Sequence, residues 1–258
     1  MRYYFLFVGV LLFSCNTRST MSQPFLETSR NNLEGVWINK YYIEQVKKTK
    51  SPYTSQLTSP DILYFNFKIN KFSDQDGILI GSAKDGVNYH GTVMLNRDNN
   101  NLFIGRFLPN DSKSLEDKFS INPLSKNKLE MFFLQKEKRV IYRKSLTSSF
   151  DQELRKLLFS GEYTDKMTGA KVTFANDGIV KGLKDYGKYS IVYTFVGDSK
   201  ATDMVWFYKK DNSDISYGYF FKILGNILEL ELLEGSIESP SLEATGKKIL
   251  LQRDSFIN

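Results

Sequence analysis

The chain runs through a series of short alternating segments, and then it begins the series again. Leu33-Glu-Gly35-Val-Trp37 opens the first run and Phe159-Ser-Gly161-Glu-Tyr163 opens the second. Asn127-Lys-Leu129-Glu130-Met131-Phe-Phe133 stands near the end of one, and Asn226-Ile-Leu228-Glu229-Leu230-Glu-Leu232 near the end of the other. Each is followed by a basic closing segment, 138–143 ending at Arg143 and 247–253 ending at Arg253. Three matched landmarks in one order indicate tandem duplication, and they limit the fold to two copies of one supersecondary plan.

Within each copy the apolar residues recur with a period of two, the signature of half-buried strands. In the second copy Tyr189, Ile191, Tyr193 and Phe195 share a face opposite Ser190, Val192 and Thr194. In the first, Leu63, Phe65, Phe67 and Ile69 share one opposite Tyr64, Asn66 and Lys68. The pattern predicts strands at 34–44, 61–70, 77–83, 87–95, 101–108, 115–121, 127–134 and 138–144. It repeats at 161–166, 170–175, 178–183, 188–196, 203–209, 216–223, 227–234 and 247–253. Asn176-Asp177-Gly178 and Leu224-Gly225-Asn226 supply tight-turn chemistry between neighbours. Tyr41 to Pro60 is too long for a hairpin, and Tyr42 to Lys48 predicts a short amphipathic helix ended before Ser51-Pro52. At 148–160, Phe150, Leu154, Leu157 and Leu158 fall at i, i+4, i+7 and i+8, which predicts a linking helix. Closing an eight-strand meander on itself removes its two exposed edges. The expected fold is therefore all-β: two tandem eight-stranded antiparallel up-and-down barrels, 33–147 and 161–258, joined by a short helix.

The N-terminal region carries an address. Arg2 is followed by an apolar run from Tyr3 to Ser14, 12 residues long. As a helix it would reach about 18 Å, short of the roughly 20 residues that span a bilayer. Leu12-Phe13-Ser14-Cys15 resembles the lipobox of bacterial lipoproteins. The resemblance implies a signal peptide over 1–14 and lipid on Cys15, a diacylglycerol on sulfur and an acyl chain such as palmitate on the new amino terminus. Two or more chains make attachment stable. An ordinary secretory cut near Ser14, leaving Cys15 as a free thiol, is the alternative. Residues 15–32, rich in Ser, Thr, Asn and Arg, read as a lipidated flexible tether. The expected location is the envelope of a Gram-negative-type bacterium, anchored in the outer membrane.

Gly35-x-Trp37 near the first strand, with a basic closing strand ending at Arg143, resembles the lipocalin superfamily, in particular the lipocalin-like lipoproteins of Gram-negative bacteria. The resemblance implies that Arg143 packs across Trp37 at the base of the first barrel, with Tyr163 and Arg253 as counterparts in the second. Aligning the closing strands on their starts pairs Lys144 with Arg253 instead, a one-residue slip that reverses the side-chain face. It also implies a small hydrophobic ligand, with Phe65, Phe67, Tyr193 and Phe195 lining its pocket. Eight-strand barrels are wide enough either to hold one small ligand or to be filled by side chains, and the 20 Phe and 15 Tyr suit both.

Other chemistry is scarce. The formal charge of +6 falls to +5 once Arg2 leaves, and both signs are interspersed. Nucleic acid, which wants a concentrated basic face, is disfavoured as a partner. One His and one Cys cannot build a His- or Cys-rich metal site or an iron–sulfur cluster, and no cofactor is expected. His90 has no nucleophile assigned to it and reads as a polar loop or strand residue. Asp74-Gln-Asp76-Gly77 begins like a calcium loop, but its twelfth position is Asp85 rather than the bidentate Glu, so it reads as a turn. With no catalytic residue singled out, the expectation is a non-enzymatic, membrane-anchored envelope protein holding a small apolar ligand. A protein-interaction module, such as an inhibitor or accessory subunit, is second, and a barrel enzyme third.

Overall fold

The structure is a computed structural model that describes residues 32–59, 62–68, 77–83, 88–95, 103–109, 117–183, 185–193, 202–234 and 242–255. Cys15, Ile69, Asp74 and Phe195 lie outside the described residues, as do the signal and nearly all of the tether. The chain is mostly β. Its first series is β1 (Gly35–Asn39), β2 (Ile62–Lys68), β3 (Gly77–Ala83), β4 (Asn88–Leu95), β5 (Phe103–Pro109), β6 (Asp117–Ser125), β7 (Lys128–Phe133) and β8 (Lys138–Lys144). The second is β9 (Gly161–Asp165), β10 (Lys171–Phe174), β11 (Val180–Lys181), β12 (Tyr186–Ile191), β13 (Met204–Lys209), β14 (Ser216–Leu224), β15 (Ile227–Glu234) and β16 (Glu243–Ser255). Helices α1 (Lys40–Thr49) and α2 (Pro52–Leu57) follow β1, and α3 (Phe150–Leu158) precedes β9.

The first sheet closes. Each strand pairs antiparallel with its neighbours in sequence, and β1 pairs with both β2 and β8, Trp37 lying between Phe65 and Lys144. The second sheet falls short of the expected closed barrel. Its order is β11-β10-β9-β16-β15-β14-β13-β12, and its two ends meet through a single isolated bridge, Ile179 to Lys188. β11 has only two residues, too few for a ladder with β12. The guanidinium of Arg155 on α3 lies beside Gly178 and the Tyr189 carbonyl, where an added Cβ on Gly178 would meet it at 2.4 Å.

The first predicted strand stops early, at Asn39 rather than residue 44, because Asn39 caps a helix. Its side chain accepts from the Tyr42 amide at 3.1 Å and satisfies a helix N–H that has no partner within the helix. The predicted helix there runs three residues further in total, and Lys50 ends it in the left-handed conformation (φ 58). Ser51 then caps α2 with Pro52 at its first position, a helix the apolar periodicity did not predict.

One irregularity reverses part of the face assignment in β2. The register with β3 shifts between Ile62 and Tyr64. A bulge puts two consecutive residues on one side, so Ile62, Phe65 and Phe67 enter the first barrel's core while Leu63 and Tyr64 face outward.

That outward face is not left to solvent. Val36 and Ile38 of β1, Leu63, and Tyr42, Ile43 and Val46 of α1 form one packed cluster with Phe150, Leu154 and Leu158 of α3 and the interior of the second sheet. Trp37, between Val36 and Ile38, points into the first barrel, so β1 is buried on both faces. Phe150 stacks on Tyr64 at 4.5 Å and meets Tyr193 edge-on at 4.9 Å. The α3 segment thus packs into a core shared by both sheets.

Burying an apolar side chain contributes about 1.5–3 kcal/mol. The six outward residues of β1, β2 and α1 therefore represent about 9–18 kcal/mol, part of it made within the first sheet and α1. This is the size of a whole domain's stability, about 5–15 kcal/mol. The two sheets are expected to unfold together. In Trp206→Phe the one remaining tryptophan, Trp37, reports on the first sheet, so its urea curve by fluorescence should coincide with that of the same variant by far-UV circular dichroism, which follows both sheets. Transitions separated by more than the fitting error would show that the shared core does not couple them.

Candidate functional site

At the base of each sheet the duplication reproduces the same contacts position by position. Trp37 Nε1 donates to the Leu33 carbonyl at 2.6 Å, and the Tyr163 hydroxyl donates to the Phe159 carbonyl at 2.8 Å, each four residues back. Lys144 Nζ lies 5.7 Å over the Trp37 ring and donates to the Asn32 carbonyl at 3.0 Å. The Arg253 guanidinium lies 5.0 Å over the Tyr163 ring and donates to the Leu158 carbonyl at 2.7 Å and, through Nε, to the Tyr163 hydroxyl at 2.9 Å. Burial raises the Tyr163 pKa, and Arg253 opposes it. The motif glycine recurs because the chain turns into the strand with positive φ, 115° at Gly35 and 150° at Gly161, which side chains rarely adopt.

The cation over Trp37 is therefore Lys144, and the Trp37–Arg143 pair implied by the lipocalin resemblance does not form. Register decides it. Trp37 stands opposite Lys144, and Arg143 stands opposite Ile38, whose side chain faces outward. Arg143 accordingly reaches α3 and binds Glu153 at 2.5 Å, and Ser145 Oγ donates to the other carboxylate oxygen at 3.1 Å. Trp37→Ala should cost about 3–5 kcal/mol and Lys144→Ala about 0.5–2 kcal/mol. A double-mutant cycle in urea should show coupling between Trp37 and Lys144 and none between Trp37 and Arg143. Coupling to Arg143 alone would reverse the assignment.

The expected ligand-lining residues divide. Phe65 and Phe67 are inside the first barrel at 0% and 1% exposure, and Tyr193 packs against α3 rather than within a sheet. Of the other inward side chains of the first barrel, Phe119, Ile121, Leu129, Met131 and Tyr142 show no exposure, so no water-sized void touches them. In the second sheet Phe159, carried in from the end of α3, meets Phe174, Tyr189 and Phe221 at ring separations of 5.0–5.6 Å. Tyr186 and Tyr219 join their hydroxyls at 3.0 Å, and burial raises both pKa values. His90 falls in β4, its backbone opposite Ile80 and Leu108.

An open site lies instead at the junction of the two sheets. A cleft of about 620 Å³ has the corner between α1 and α2 as one wall and the outer surface of β14 and β15 as its floor. Thr49, Ser51 and Thr54 come from the corner, Phe220 and Lys222 from the floor, and Asp203 from the entry to β13. The Tyr53 amide donates to Asp203 Oδ1 at 2.8 Å, a direct bond between the two halves of the chain. Burial raises the Asp203 pKa, and hydrogen bonds from Ser51 and the Tyr53 amide oppose it. No local signal marks Asp203 in the sequence, since its burial depends on a corner built about 150 residues earlier. Among the described residues no three His, Cys, Asp or Glu side chains converge as a metal site.

A carboxyl whose folded pKa is raised costs stability above that pKa. The cost disappears as pH falls through the folded pKa toward the unfolded value, so the contribution of Asp203 to stability declines as pH rises across that window. Asp203→Asn, which keeps an acceptor for the Tyr53 amide, should raise Tm at pH 8 and raise it less at pH 4. A loss of Tm that is larger at pH 8 than at pH 4 would show that the charge stabilises the junction.

Compared with known proteins, the chain matches no family model, no curated protein and no solved structure.

Proposed function

We propose that this chain is a lipid-tethered, non-catalytic interaction protein of a bacterial cell envelope. In this reading its two lipocalin-like units act as one rigid body that presents an outer surface to a protein partner. The observation that carries this is the close packing of the inward side chains that the structure describes. An eight-strand barrel that carries a ligand needs space at its centre, whereas here the inward side chains of the second sheet and the described ones of the first pack against one another. The shared core supports the same reading, since it holds two sheets in fixed relation, and preorganised surfaces lose least on binding. The carrier expectation is the weaker for both reasons. Anchoring through Cys15 fits an interaction role because confinement to a surface raises the effective concentration of a partner held there.

Native mass spectrometry of the full lipidated protein released from detergent tests the interior directly. The expected mass is that of the acylated chain alone. A stoichiometric apolar molecule that dissociates on activation would overturn the interaction reading in favour of a carrier. Metabolic labelling with a fatty-acid analogue should tag the natural chain and not Cys15→Ser, and equal labelling of both would remove the tether.

A further inference from the structure

The chain enters the folded body at a fixed point. Leu33 is buried, its carbonyl accepts from Trp37 Nε1, and the Asn32 carbonyl accepts from Lys144 Nζ at 3.0 Å, so the segment that leads back to Cys15 leaves from the base of the first barrel. Residues 16–32 are 17 in number. At full extension they reach about 60 Å. A lipid on Cys15 would therefore hold this base, before any other part of the body, close to a bilayer.

That rim has the composition of a lipid-facing surface. The register gathers the ends of β2, β6 and β8 and the start of β7 at the same end as Gly35: Gly35 stands opposite Phe67, Ser125 opposite Lys128, and the Lys144 amide donates to the Asn127 carbonyl. Two leucines meet solvent there. Leu146, just past β8, is 82% exposed, and Leu124 near the end of β6 is 45% exposed. Lys68, Lys126 and Lys128, all exposed, stand on the same rim. Of the carboxylates described near it, Glu153 is bound by Arg143, Glu130 by Arg139 and Asp151 by Arg155, which leaves Glu34. Apolar side chains among lysines suit anionic headgroups over acyl chains, since the lysines meet phosphate and the leucines enter the boundary beneath. The opposite rim has an exposed Leu134 with Lys136 and Lys138, so composition does not choose between the two ends. The point of chain entry does.

We propose that the base of the first barrel rests on anionic phospholipid, with Leu124 and Leu146 entering the headgroup boundary and Lys68, Lys126 and Lys128 on the phosphates. This rests on the lipid tether of the reading above and adds an orientation to it: the rim with the β7–β8 turn points away from the bilayer, toward a partner. Tethering makes weak contacts sufficient, because a short linker holds two surfaces at an effective concentration on the order of millimolar. Each lysine near an anionic surface then strengthens docking about fivefold.

The test uses the full lipidated chain in phosphatidylcholine vesicles with and without phosphatidylglycerol. Lipidation occupies the Cys15 sulfur and leaves one introduced thiol for labelling, Ser125→Cys on the base or Leu134→Cys on the opposite rim, each carrying the fluorophore NBD and read against a nitroxide on the lipid headgroup. The nitroxide should quench the label at position 125 more strongly than the label at position 134, and the difference should shrink in phosphatidylcholine alone. Lys126→Gln combined with Lys128→Gln should lower the docked-to-free ratio about 25-fold, about fivefold for each lysine, and added salt should lower it in the chain with both lysines by screening. Leu146→Ser should lower it as well. These side chains are exposed, so the substitutions leave both cores intact. Equal quenching at both positions, stronger quenching at position 134, or quenching at position 125 that ignores both salt and the lysines would overturn the proposal. The failures are separable. Chains that wash off the vesicles have no anchor and remove the tether, and this face with it, whereas anchored chains with no preferred rim remove the docked face alone.

Discussion

Strand β1 is buried on both sides, and most of the architecture follows from that. A strand in a single-layer barrel ordinarily has one face in the core and one in water. In β1, Trp37 faces the first barrel while Val36 and Ile38 face a second core made by α1, α3 and the other sheet. Removing that second core would expose an apolar ridge, so the two halves cannot be treated as beads on a string. The bulge in β2 serves the same junction, because it adds Leu63 and Tyr64 to the ridge that Phe150 covers.

The duplication is structural in a stronger sense than a shared strand count. Aromatic side chain, backing carbonyl, overlying cation and cation-bound carbonyl recur in both bases. Even the landmark asparagines have matching roles: the Lys144 amide donates to the Asn127 carbonyl at 3.0 Å and the Arg253 amide to the Asn226 carbonyl at 2.7 Å. The copies have diverged in closure. The first completes its ladder, and the second ends against α3 with Arg155 in the opening. A short β11 is tolerable there because a helix can cover a sheet edge that strands leave unpaired.

Much of this was legible in the residues, and the misses have specific causes. Period-two alternation located the strands because each sheet has one apolar interior, and the i, i+4, i+7, i+8 spacing located α3. Alternation could not locate the bulge, since one inserted residue reverses the faces without altering composition. The run Val36-Trp37-Ile38 did carry a warning, for three consecutive apolar residues in a strand suit burial on both sides. Lys144 was one of two alignments left open, and only the β1–β8 register chose between them. Asp203 was invisible because the Tyr53 amide that it accepts from lies about 150 residues away in the chain.

The closed ladder of the first sheet also dictates an order of events during synthesis. Its ring cannot be sealed until Lys144 has emerged to meet Trp37. At that moment the ridge of Val36, Ile38, Tyr42, Ile43 and Val46 is complete but bare, because α3 and everything that covers it lies further along the chain. A first sheet that closed at that point would carry an uncovered apolar flank, the kind of species that associates with its own copies unless shielded. That interval is when a chaperone would have most to protect.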